Sequence, residues 1–290
     1  MTEPTVLIFG SRHHPSLALI NQELAARSNR RVFFVQQELF FTESRLILAD
    51  EPCNSLLYLT EKDVVSFSEI AAVCLDNFFV SPEFLEGFAP EDVEYIQTEA
   101  WATLIAFFGQ LSEKALMANF ITDRDHFASR WATLRLLAQS GLPVPDALVT
   151  SDPESLESFR DRPPEGVVFK PVSDPTEVFT LLDEEALAKL DSLTFAPVHF
   201  EQAQLGEPSA LSVIGPTTIH SGGAEPPKEI VEGCRGVAAE LGLALAEFHL
   251  RKLQDGRWQV AGLLPFVSPS ALSQPEVLAT VCQLLEEATL

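Results

Sequence analysis

Residues 130–159 read RWATLRLLAQSGLPVPDALVTSDPESLESF. Extended upstream to Asp125–Ser140, the first part spaces Phe127, Trp131, Leu134 and Leu137 along one helical stripe. Gly141 is placed to cap that helix, and Pro143 and Pro145 prevent it from continuing. Ala147–Thr150 then reads as a strand, and Ser151-Asp152-Pro153-Glu154 opens the next helix with a capping pattern.

Downstream, Gly166–Val172 (GVVFKPV) is a strand with a single lysine, Lys170, among apolar neighbours. A lysine buried in a strand needs an anionic partner. Glu184–Leu190 is a short helix, Pro197–Gln202 and Ala210–Ile214 are strands, and Glu229–Leu241 is a helix. Leu243–Leu253 and Arg257–Leu264 flank Gln254-Asp255-Gly256, and Asp-Gly between apolar runs signals a hairpin. Upstream, Thr5–Gly10 (TVLIFG), Ser16–Ala26 and Arg31–Gln36 give strand, helix, strand with short connections, the opening of a doubly wound α/β domain. Ile70–Leu75 (IAAVCL) supplies another buried strand. Pro90–Leu111 reads as a long helix with Tyr95, Trp101, Ile105 and Phe108 near one face. The glycine of FGSRHH lacks the spacing of a phosphate loop, and adjacent His13 and His14 point in different directions, so an ordinary loop is expected there.

The 290 residues suffice for one large or two modest domains, and a 46% hydrophobic share is that of a globular chain. A formal net charge of −23 argues against nucleic acid as a partner. The one basic cluster, Arg27, Arg30 and Arg31, sits where a helix should end, as a solvated terminus would. Cys53, Cys74, Cys234 and Cys282 form no CxxC pair, which fits free thiols in a reducing compartment. No charged segment followed by a long apolar run is visible, so no membrane association and a cytoplasmic location are expected.

The order of segments from Asn119 through SRWATLRLLAQSGLPVPDALVTSDPESLESF, VVFKPV and EEALAKLDSLTFAPVHFEQ, on to LGLALAEFHLRKLQDGRWQVAGLLPF, resembles the ATP-grasp superfamily. Within it the likeness is to microviridin-type graspetide ligases and ribosomal-protein glutamate ligases. The resemblance implies a mixed α/β and α+β fold. A Rossmann-like pre-ATP-grasp domain (1–118) would precede a two-lobed ATP-grasp core, with lobes at 119–198 and 199–290. Active relatives activate a carboxylate with ATP as an acyl-phosphate, which an amine or hydroxyl attacks. Dense negative charge in that step must be neutralised by magnesium and basic side chains.

Residue by residue, the resemblance is uneven. The first nucleotide-binding lysine of the family corresponds to Arg130, eleven residues before Gly141, and the second to Lys170. The acidic or amide residue beside the adenine corresponds to Glu201 or Gln202; an exposed strand-end carboxylate would look the same. Arg130, Lys170 and Glu201 are therefore the candidate nucleotide-binding residues. The loop after Lys170, Ser173-Asp174-Pro175-Thr176-Glu177, lacks glycine and carries two negative charges, which repel a triphosphate. The family arginine corresponds to Ala210, the metal-binding aspartate to His249, and the glutamate and asparagine of the E-x-N pattern to Gly262 and Leu264. Histidine is a poor magnesium ligand and the other two offer none. The nearby acids are Glu247, two residues before His249, and Asp255 in the turn.

These replacements point to a pseudoenzyme: no catalytic residue, no metal ligand and no resident cofactor, with ATP bound weakly at most. Three functions stay open. The first is a non-catalytic, peptide-binding partner in a RiPP-like peptide- or protein-modification pathway, as a homo- or hetero-oligomer. The second is an active carboxylate–amine or –hydroxyl ligase with an altered metal site, and the third a nucleotide sensor. The four phenylalanines of Phe78–Phe88 (FFVSPEFLEGF) serve either the chain's own core or an interface.

Overall fold

The computed structural model describes residues 4–75, 80, 82–119, 127, 129–163, 165–173, 178–189, 196–203 and 205–289. The N-terminal part runs β1 (Thr5–Gly10), α1 (Pro15–Arg27), β2 (Arg31–Gln36), α2 (Phe40–Glu43), β3 (Arg45–Ile47), β4 (Leu56–Tyr58), β5 (Val64–Ser66), β6 (Ile70–Leu75), α3 (Pro82–Leu85), α4 (Pro90–Ser112) and β7 (Leu116–Ala118). Strands pair in the order β2-β1-β6-β7, each neighbour parallel, and β3-β4-β5 form a small antiparallel sheet. Parallel strands covered on both faces should be apolar throughout, as TVLIFG and IAAVCL are. Period two sends Val6 and Ile8 to the side of α1, and Leu7 and Phe9 to the side of α4.

The next part holds α5 (Arg130–Gln139), β8 (Ala147–Thr150), α6 (Pro153–Arg160), β9 (Val167–Pro171), β10 (Thr180–Leu181), α7 (Glu184–Lys189) and β11 (Val198–Gln202). Its antiparallel sheet has the order β10-β9-β11-β8. The expected lobe boundary at 198/199 falls at the head of β11, whose length is paired with β8 and β9. The last part holds β12 (Gly206–Ile214), β13 (Thr217–Ser221), α8 (Lys228–Glu240), β14 (Leu245–Leu253), β15 (Trp258–Leu264), α9 (Pro269–Leu272) and α10 (Pro275–Glu287), with sheet order β13-β12-β14-β15.

The core does not respect this division. Val277, Val281, Cys282 and Leu285 of α10 pack in one apolar cluster with Val6, Ile8, Leu17, Ile20 and Leu24, and with Ile214 and Leu245 of the last sheet. Asn119, just after β7, reinforces the junction. Its Nδ2 donates to the carbonyls of Leu245 and Pro265, and its Oδ1 accepts from Leu245 N at 2.9 Å.

Two expectations need correction. The buried face of α4 is Ala100, Leu104, Phe107, Phe108 and Leu111, while Tyr95 is 66% exposed. Six residues turn a helix by about 600°, so Tyr95 and Trp101 cannot share a face, and the first half of α4 runs beyond the core. The helix expected from Asp125 starts at Arg130. Ser129 is extended, and its Oγ accepts from Ala132 N as an N-cap, a serine signal outweighed by the apolar stripe. Among the four aromatics of Phe78–Phe88, Phe78 and Phe79 lie outside the described residues. Phe84 is half-buried against Phe41 and Phe88.

Candidate functional site

The register of β9 and β11 decides which side chains meet. Lys170 pairs directly with His199 and Val168 with Glu201, so Lys170, His199 and Glu201 share one face of the sheet. Val198 and Phe200 face the other way, into a cluster with Leu156 and Phe159 of α6. Gln202 also faces away from Glu201, donating to Glu165 Oε2 at 2.8 Å and accepting from Gln259 at 3.0 Å. Of the two candidates for the adenine side, Glu201 therefore lies with Lys170, and at 0% exposure it is no surface carboxylate.

Arg130, in the first turn of α5, reaches across to this face. Its Nε and Nη2 form a two-pronged ion pair with Oε2 and Oε1 of Glu201, at 2.5 and 2.8 Å. Nη2 also donates to the carbonyl of Ala261 on β15 at 2.7 Å. His199 Nε2 lies 3.1 Å from Glu201 Oε2, while its Nδ1 is buried without a partner among the described residues. Burial alone would raise the Glu201 carboxyl, but hydrogen bonds from Arg130 and His199 outweigh it and hold it below the usual carboxylate range. Phe179, just before β10, covers the cluster: the Arg130 guanidinium carbon and Lys170 Nζ each lie 4.9 Å from its ring centre.

The hairpin β14–β15 forms the opposite wall. His249 pairs with Gly262 and Glu247 with Leu264. A side chain begun at Gly262 would place its Cβ 3.5 Å from Arg130 Nη1 and 3.8 Å from His249 Nδ1. Glu247, whose Oε1 is 3.4 Å from His249 Nε2, accepts from both the backbone N and the Oγ of Ser268, at 2.8 and 3.0 Å. Ser268 in turn caps α9. Burial would raise the Glu247 carboxyl, but the bonds from His249 and Ser268 prevail and lower it.

Two α+β lobes with basic and acidic side chains converging between a strand pair and a hairpin can be compared with known architectures. The chain matches the macrocyclase MdnC of Microcystis aeruginosa MRC, solved bound with precursor peptide MdnA, with a TM-score of 0.80 at 18% identity, covering 97% of this chain and 99% of that one. The fold is that of the ATP-grasp ligases. A RiPP-associated ATP-grasp ligase of Chryseobacterium gregarium, in complex with ADP and a leader and core peptide, matches with a TM-score of 0.81 at 14% identity, over 99% of this chain and 98% of that one. The ATP-grasp ligase PsnB, complexed with precursor peptide PsnA2 and AMPPNP, gives 0.78 at 19% identity over 98% of each chain. No protein-family model and no curated protein matches the sequence.

Within this ATP-grasp fold, Arg130, Lys170 and Glu201 come together, and His249, Gly262 and Leu264 face them from the hairpin. Asp174–Glu177 of the acidic loop lie outside the described residues. His13 accepts from Arg12 on the surface and His14 precedes α1, with its ring beside Phe266. Among the described residues, no group of three or more His, Cys, Asp or Glu could hold a metal ion, and no helix is long and apolar enough to cross a membrane. Two members of the cluster have no expectation behind them. His199 was open to inference, because it alternates with Glu201 on a strand. Phe179 was not, since it stands in a loop without periodicity.

Proposed function

We propose that the chain is a non-catalytic ATP-grasp-fold protein that binds a peptide or protein partner in a peptide-modification pathway. The observation that carries this is the hairpin wall. His249, Gly262 and Leu264 occupy the positions to which the resemblance assigns magnesium ligands, and the neighbouring carboxylate, Glu247, is committed to Ser268. Such a donor set does not suit magnesium, which wants oxygen ligands in near-octahedral array. The pathway is suggested by the similar structures, which were solved with precursor peptides or with a leader and core peptide.

The adjacency of Glu247 and His249 favours one second reading, a ligase with an altered metal site. The two are separated by assaying the full-length protein for ATP hydrolysis with magnesium and with manganese. The expected result is no turnover above background and only weak binding by calorimetry; metal-dependent turnover abolished by Lys170→Ala would overturn the proposal. With a charge of −23, the partner should be basic or locally basic, and its association should slow as salt is raised from low ionic strength.

A further inference from the structure

We infer that Arg130, Glu201 and Phe179 form a clasp between the two sheets that fills the cleft from within, so that a polyphosphate enters only by opening it. The inference concerns the same cleft but stands apart from the proposed function, because clasp opening is measurable whether or not the open cleft turns over ATP.

Three observations carry it. Arg130 is on α5 and belongs to neither sheet, yet its guanidinium holds Glu201 of β11 and the Ala261 carbonyl of β15 at once. A planar fork can make these contacts together because its donors point outward in fixed directions; a lysine ammonium, a point charge, has no fork to match both carboxylate oxygens. Secondly, Gly262 leaves this reach open: a Cβ there would stand in ordinary contact with Nη1, at 3.5 Å, and only a side chain extending beyond it toward the guanidinium would crowd it. Thirdly, Phe179 sits against both cations of the cluster, at 4.9 Å from each. An incoming anion would have to displace the ring and draw Arg130 from a carboxylate that is itself fully buried. The groups a nucleotide would meet are engaged with one another.

The test measures binding of inorganic triphosphate and of AMPPNP to the full chain by calorimetry, with amide hydrogen exchange across residues 198–202 and 258–264. Phe179 is half-buried, so Phe179→Ala should fold. It should bind triphosphate at least about tenfold more tightly, the scale of a desolvated cation–π contact that no longer has to be broken. Exchange in both segments should quicken, while residues 5–10 stay protected. Glu201→Gln should also tighten binding, and the double variant should gain no more than the better single one, as parts of one device do. A folded Phe179→Ala protein with unchanged affinity overturns the inference. So does tighter binding with exchange unaltered at 258–264, or gains that multiply in the double variant. Should Glu201→Gln not fold, the Phe179→Ala affinity and exchange decide alone.

Discussion

A carboxylate with no exposed surface survives only while something holds its charge, and at Glu201 that is Arg130 assisted by His199. Removing one partner of such a pair takes a buried counter-charge away from the other. Glu201→Gln is expected to cost about 3 kcal/mol in urea unfolding, with much of it recovered when Arg130→Met and Glu201→Leu are combined. The pH dependence follows from the depressed carboxyls of Glu201 and Glu247. Their contribution is fully present above the unfolded glutamate value of about 4.3 and is lost as pH falls from there through the lower folded values. Stability should therefore fall on acidification below about pH 4.3, and less steeply in the Glu201→Gln variant. At this scale the sequence was half legible. Lys170 and Glu201 could be placed because each sits at a recognisable point of a strand. That Arg130 would be spent on Glu201, 71 residues away, could not be seen, because no local pattern records a contact made by tertiary folding.

Elements were more legible than contacts wherever one local signal was strong. TVLIFG, IAAVCL and the Asp-Gly hairpin appear as expected because burial on both faces or a tight turn dictates their composition. The face of α4 and the start of α5 were misjudged, since apolar residues on a half-exposed helix carry little phase information. Asn119 is the element-scale device that composition hides. It satisfies Leu245 N and two carbonyls where the last strand of one sheet meets β14. Asn119→Asp keeps the acceptor and the shape but loses both donors, setting a carboxylate against two carbonyl oxygens. A loss of about 2 kcal/mol or more is expected from chemical denaturation, exceeding that of an exposed control such as Gln283→Glu.

For the molecule as a whole, the apolar cluster joining α1 to α10 implies that the Rossmann-like sheet and the last sheet stand or fall together. Calorimetry should show one unfolding transition for these parts. A chain ending before Pro275 would expose the faces that Val277, Val281 and Leu285 cover, and should be recovered as aggregate rather than as a folded N-terminal domain. The same cluster sets an order of events during synthesis. Leu17, Ile20 and Leu24 leave the ribosome long before α10 (Pro275–Glu287), the helix that seals them. At ~5–20 residues per second the wait is on the order of 10–50 s. For that interval the nascent chain carries a bare apolar stripe, the kind of surface on which chaperones act. A sheet made early is finished only when α10 arrives.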